Sequence, residues 1–183
     1  MSETLARQFL ISVPQLQDPN FRKTVVLIVE HGAEGALGVV INRPSDGRLK
    51  ELLKDNGVTY QGPPDARVMV GGPVRPTQAL LLHGEEDVEA ESAAVGPGLR
   101  LSGSLAALRQ VFSRPAPRAR LYLGYAGWGP GQLEAEIEAG AWILAPVDPV
   151  LVFDAPSDEV WDLALRSLGI DPAVLLAPDG SVN

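Results

Sequence analysis

His31 and His83 are the only imidazoles in the chain; each ends an apolar run and is followed by glycine. Histidine titrates near neutrality and ligates metals, so either one is a candidate acid–base group or ligand. Neither carries the H-E-x-x-H spacing of a helical metal site. A functional reading gathers them at one polar rim with Glu30, Asn42 or Arg43. The simpler reading, which we prefer, is that each satisfies a hairpin end through its ring nitrogens.

The second concentration of chemistry is GYAGWGPGQLEAEI, Gly124 to Ile137, with four glycines in eight residues and then acids. Gly129 and Gly131 fit the first two positions of G-x-G-x-x-G, but the third is Glu134. A carboxylate there competes with a phosphate for the positive end of a helix. The chain also lacks G-x-x-x-x-G-K-[ST]. The glycines therefore read as a sharp turn past Trp128, with Gly127 or Gly129 expected at positive φ or in close backbone contact. Glu134 and Glu138 lie one helical turn apart, a spacing that suits acid–base work or a hard cation. Such a pair is more often a solvated, mildly self-repelling face. Trp128 beside Tyr125 is either a stacking platform or a buried anchor; with aromatics at 5%, core or interface duty is favoured. The candidate ligand-binding residues are thus His31, Asn42, Arg43, Trp128 and Glu134, with no catalytic residue, metal site or cofactor assigned. No G-x-S-x-G or S-x-x-K motif is present, and a serine without an identified base is usually a cap or a surface hydroxyl.

Composition narrows the function classes. The formal charge is −8, from 23 acids against 15 bases, which disfavours nucleic-acid phosphates as a partner. RPAPRAR, Arg114 to Arg120, is the one modest basic cluster and reads as a solvated connector. The absence of cysteine excludes disulfides and thiolate chemistry. The N-terminal apolar run is too short for a signal peptide, and no run approaches a membrane span. The expectation is a cytoplasmic protein without membrane contact.

The elements that must position these residues are short. Strands are expected at Arg7–Val13, Lys23–His31, Ala36–Asn42, Arg67–Gly72, Gln78–Gly84, Leu99–Ser102, Ala119–Trp128, Gly140–Val147 and Val150–Phe153. Near-continuous apolarity in the second and third implies burial on both faces, and the Gly32–Gly35 link makes them a hairpin. Arg67–Gly72 and Gln78–Gly84 look like a second pair, joined by a turn-rich link. Asp18-Pro19 signals a type I turn. The acidic segment Gly84–Gly98 reads as an exposed connection. Helices are expected around Leu49, Leu52 and Leu53 with Gly57 as the stop, after Ser104 as N-cap, and from Ser157 to Leu168. Gln132–Ala139 alternates with period two, yet its residues are helix formers; a short helix is favoured, with Pro130 at its first position and Gly140 after its end. One domain spans 1–183, with a lead at 1–6 and a tail from about 173 expected to fray. The mixture without regular βαβ alternation predicts α+β.

Read in order, FLISVPQLQDPNFRKTVVLIVEH, GALGVVINRP, GGPV, LLLH and GYAGWGPGQLEAEI with Trp142 resemble the YqgE/AlgH family of bacterial proteins. The resemblance implies a single compact domain with a mixed, largely antiparallel, bifurcated, pseudo-barrel-like sheet flanked by short helices. It brings no catalytic or ligand residues. One branch carries a transcriptional-regulator label linked to alginate production, which implies a regulatory role. The acidic balance and the missing helix-turn-helix pattern favour action through a protein partner over direct DNA binding. A non-enzymatic interaction protein is the first expectation; a small-ligand binder or hydrolase-like protein, using the His31/Asn42 hairpin and the Trp128 turn, is the alternative.

Overall fold

Alternation along the two N-terminal strands sorts their side chains into two separate cores. In the computed structural model, which describes residues 4–14, 22–84 and 91–176, β1 (Gln8–Ser12) and β2 (Val25–Gly32) run antiparallel. Phe9, Ile11, Val25 and Leu27 enter one apolar cluster, while Leu10, Val26 and Ile28 enter another. All seven are fully buried, so both faces of the sheet are covered and neither strand needs polar alternation. The hairpin partner is β3 (Gly35–Val40), antiparallel to β2 as the Gly32–Gly35 link requires.

Then come β4 (Pro44–Arg48), α1 (Leu49–Asp55), β5 (Arg67–Val70), β6 (Val74–His83), β7 (Ala93–Gly96), β8 (Leu99–Ser102) and α2 (Leu105–Phe112). β9 (Ala119–Trp128), α3 (Gln132–Glu138), β10 (Trp142–Pro146) and α4 (Pro149–Phe153) follow. A 3-10 turn at Ser157–Glu159, α5 (Val160–Ser167) and α6 (Pro172–Leu176) complete the described chain. The sheet runs β10-β1-β2-β3-β9-β6-β8-β7, with β4 and β5 off this path. The result is a single α+β domain with a curled, largely antiparallel sheet and short helices.

The sheet forks at β9. One edge of β9 pairs with β6; the other meets β5 in parallel at Tyr122 and Leu123, then β3 in antiparallel from Ala126 to Trp128. At the fork the backbones nearly touch. Gly124 has φ +78, and a Cβ there would lie 2.4 Å from the Gly72 carbonyl oxygen. Only glycine meets both demands, because an L side chain is strained at that φ and would strike backbone.

Several expectations change here. Gly127 and Gly129 have neither positive φ nor a tight contact; both features fall at Gly124, and positive φ alone at Gly131, where it is +72. Gly131 is the N-cap of α3, so the helix starts at Gln132 and Pro130 lies outside it. β5 and β6 are both strands but do not pair with each other, because β9 lies between them. Within the acidic segment, Ala93–Gly96 is a strand against β8; its residues 85–90 lie outside the described residues, as does the Asp18-Pro19 turn. Val150–Phe153 is helix rather than strand. Asp148 accepts a hydrogen bond from the Val150 N–H at 3.0 Å, Pro149 takes the first turn, and Leu151 and Val152 are buried. Capping and packing override the β propensity of the two valines there. The helix α6 spans Pro172–Leu176, within the tail that begins at about 173. At the other end, the Leu5 N–H is tied to His31 Nδ1.

Candidate functional site

His31, Ala36 and Trp128 lie in one row across β2, β3 and β9, because Ala36 pairs with both neighbours. The turn after Trp128 brings α3 back over this row. Glu134 Oε1 sits 2.6 Å from His31 Nε2. The Leu5 N–H donates to His31 Nδ1 at 3.0 Å, so Nδ1 is the bare nitrogen and Nε2–H donates to the carboxylate. Both ring nitrogens are thereby engaged, one to the lead and one to α3.

Two residues on, Glu136 does more. Its Oε1 accepts from the indole N–H of Trp128 at 3.1 Å and of Trp142 at 2.9 Å. Its Oε2 accepts from the Gln132 side-chain amide at 2.9 Å, and Gln132 Oε1 accepts from the Gly129 N–H at 3.0 Å. The two indoles pack edge to face, with centroids 6.1 Å apart. Glu136 therefore fastens α3 to the ends of β9 and β10. Sequence reasoning singled out Glu134 and Glu138 instead. The available signal was Gln132 and Glu136 at i, i+4, flanked by two of the three tryptophans. A shallow cleft of about 490 Å³, lined by Glu30, His31, Glu34, Leu37 and Trp128 among others, opens beside this cluster.

Asn42 and Arg43 do not join it. Asn42 accepts from the Val25 N–H at 3.0 Å and donates to the Lys23 carbonyl at 3.0 Å. It brackets the opposite end of the hairpin, roughly 20 Å from His31 at ~3.3 Å per strand residue. The Arg43 carbonyl accepts from the Val70 N–H, which ties it to β5. Of the five candidates, the fold unites His31, Trp128 and Glu134 only.

The two histidines do not share a rim either. His83 pairs with Ala119 at the start of β9, whereas His31 lies beside Trp128 at its end. His83 is fully buried, with Nδ1 2.9 Å from the Gly84 carbonyl and Nε2 2.8 Å from Ser102 Oγ. Each histidine does engage both ring nitrogens. Among the described residues no group of three His, Asp or Glu side chains is placed to hold a metal ion, and no helix is long and apolar enough to cross a membrane.

A second depression is a groove of about 870 Å³ between the α1–β5 connection, the start of β9 and the end of α4. Tyr60, Arg67, Arg118, Arg120, Phe153 and Asp154 are among its lining residues. Arg120 donates to the Val152 carbonyl at 2.9 Å, placing a cation at the negative end of α4. Arg118 pairs with Asp154 at 2.8 Å and lies over the Phe153 ring at 5.1 Å. Arg67 donates to the Asp46 carbonyl at 2.6 Å. A guanidinium has five N–H donors, so each retains donors beyond these bonds. Burial pushes the Tyr60 phenol above its ordinary value; Arg120 opposes this and Asp65 adds to it. Tyr60 thus faces the groove as a neutral hydroxyl at physiological pH. The cluster RPAPRAR, read from sequence as a solvated connector, supplies one wall.

A family model described as AlgH-like matches residues 9–173. The chain belongs to the AlgH-like family. A protein named UPF0301 from Myxococcus xanthus is 41% identical over 179 residues, covering 97% of this chain and 98% of the relative. A UPF0301 protein from Anaeromyxobacter dehalogenans is 43% identical over 189 residues, covering 98% and 95%. The solution structure of the AlgH protein from Pseudomonas aeruginosa matches with a TM-score of 0.75 at 35% identity, over the whole of both chains. A crystal structure of a Corynebacterium diphtheriae protein, 24% identical, shares the fold at a TM-score of 0.78, covering 97% of this chain and 93% of that one. The AlgH-like match includes the His31 cluster, the His83–Ser102 pair and the arginine groove alike.

Proposed function

We propose that this AlgH-like protein acts in the cytoplasm by binding a protein partner, and that any regulatory effect comes from this binding rather than from turnover at the His31 cluster. The observation that carries the reading is the arginine groove. A chain of net charge −8 places Arg67, Arg118 and Arg120 along one open groove that Tyr60 and Phe153 also line. Guanidinium groups beside aromatic rings suit a peptide segment carrying carboxylates and an apolar anchor. Asp65 and Asp154 in the same lining limit the net positive charge, which favours a peptide over a nucleic-acid backbone. The His31 cluster supports the same division of labour. Its imidazole and the Glu136 carboxylate are consumed in fastening the lead and α3, as described above.

The test is site-specific photo-crosslinking in cells from Ala116, an exposed residue on the groove wall, with Leu163 on α5 as the control position. A partner captured from Ala116, not from Leu163, and lost on combined Arg67→Glu and Arg118→Glu, is the expected result. Capture that survives the charge reversal, or arises equally from Leu163, removes the groove from the proposal. A salt-dependent mobility shift on duplex DNA addresses direct nucleic-acid binding, and no shift is expected even at low salt.

A further inference from the structure

His83 and Ser102 form a pair that the interaction reading leaves unused. They stand on neighbouring antiparallel strands, with His83 opposite Arg100 and Ser102 opposite Leu81. They are therefore diagonal neighbours on one sheet face. The Gly84 carbonyl, 2.9 Å from His83 Nδ1, can only accept, so Nδ1 carries the proton. The neutral ring then leaves Nε2 as an acceptor, and the Ser102 hydroxyl at 2.8 Å must donate to it. This is the opposite tautomer to that of His31. A base oriented by a third group and accepting from a hydroxyl is the arrangement that activates a serine nucleophile.

The surroundings add two further elements. Ser102 is the last residue of β8, and Gly103 and Ser104 lead directly into α2, which spans eight residues. The Ala107 N–H is taken by Ser104 Oγ at 3.1 Å. The Leu105 and Ala106 N–H groups belong to the first turn, so they have no intrahelical acceptor and sit at the positive helix end. Such donors suit a developing oxyanion. Beside them lies a separate cleft of about 210 Å³, whose lining includes Ser102, Ser104, Asn56, Thr77, Leu108 and Leu123. At ~30 Å³ per water, that is space for roughly seven waters, or a short acyl chain. His83 is fully buried and Ser102 is 2% exposed, so the base is shielded, and Ser102 is the member of the pair that lines the cleft.

We propose that Ser102 is a nucleophile toward short-chain acyl esters, with His83 as its general base. Ser102 Oγ bonds to the ester carbonyl carbon as its proton passes to His83 Nε2. The carbon–alkoxide bond then breaks, and the alkoxide leaves with that proton as an alcohol. Water, deprotonated in turn by His83, releases the carboxylic acid and restores the Ser102 hydroxyl. No oxidant, reductant or metal enters the balance.

The experiment uses p-nitrophenyl butyrate, with nitrophenolate release and intact-protein mass followed together. One butyryl group per chain on the Ser102 peptide is expected, absent from Ser102→Ala and formed about 10²–10⁴-fold more slowly in His83→Gln. No adduct on the wild-type protein at millimolar ester, or an equal adduct on Ser102→Ala, overturns the proposal. Because the chain has no other thiol, Ser102→Cys reports access directly. Reaction of the folded variant with methyl methanethiosulfonate is expected, whereas protection until unfolding shows that the cleft does not reach this side chain and also overturns it. Glu138→Ala, an exposed position on α3 away from both the groove and this cleft, is the folded control and should leave acylation unchanged.

Discussion

Replacing Glu136 with alanine should destabilise the fold far more than replacing Glu138, although both are helix α3 carboxylates. Glu136 accepts from two indole N–H groups, at 3.1 and 2.9 Å. Trp128 and Trp142 are only 6% and 3% exposed, so their donors have little water to turn to once the carboxylate is gone. Each hydrogen bond to a charged group contributes about 1.5–3 kcal/mol, and an orphaned buried donor costs about 1–3 kcal/mol. Glu136 itself is half-buried, and water entering beside the truncated side chain recovers part of this. The expected loss is about 2–4 kcal/mol from these contributions. At ~2–4 °C per kcal/mol for a chain of this size, Tm falls by about 4–16 °C. Glu136→Gln retains an acceptor oxygen without charge and should lose about half as much. Glu138 is exposed, and Glu138→Ala should stay within about 0.5 kcal/mol of wild type. Urea unfolding followed by tryptophan fluorescence measures all three variants. A Glu136→Ala midpoint matching that of Glu138→Ala, at unchanged denaturant slope, refutes the fastening role.

Further consequences follow from other contacts. Gly124→Ala incurs ~1–2 kcal/mol for its left-handed backbone and ~1–3 kcal/mol for overpacking against the Gly72 carbonyl, whereas Gly127→Ala meets nothing closer than 3.8 Å; similar thermal stability for the two variants contradicts the fork geometry. Ser104→Ala removes the side-chain cap of α2 and should cost about 0.5–2 kcal/mol in urea unfolding, with no change contradicting the cap. Burial holds the Tyr122 phenol well above its ordinary value, with Arg120 opposing. Because the folded value is the higher one, its contribution to stability is complete below the unfolded value of about 10 and is lost as pH rises through the folded one. Urea midpoints taken above pH ~10 should therefore decline less steeply in Tyr122→Phe than in wild type; parallel declines would refute the assignment.

Local patterns were legible wherever one physical demand dominated. β9 was expected at Ala119–Trp128 and is found there, because a long apolar run has no stable alternative to burial. Ser104 was legible as a cap and Gly57 and Gly140 as helix stops, because caps and left-handed ends are properties of a few adjacent residues. The conflict within Gln132–Ala139 was resolved toward helix by intrinsic preference, and α3 agrees. Propensity failed at Val150–Phe153, where an aspartate cap and the core beneath outweighed β-branching. It failed again at Gly127 and Gly129: a cluster of glycines announces a demanding turn without saying which member carries it.

Pairings across long separations were beyond reach. Nothing local says that β9 will come between β5 and β6, since that depends on which chain segments compete for each edge. The candidate site divides along the same line. The residue types at Trp128, Glu134 and His31 marked groups capable of chemistry, and the motif failures weighed against a phosphate loop. The fold then joined those three, sent Asn42 and Arg43 to the far end of their hairpin, and gave Glu136 the central bonds. It also set His83 beside Ser102, nineteen residues away. By itself the sequence determined most of the elements, the doubly buried strands and the family, because these follow from residue type and short-range order. Only the tertiary structure decided which polar groups meet, because hydrogen-bond partners 19 to 103 residues apart are chosen by sheet register and by the fork at β9.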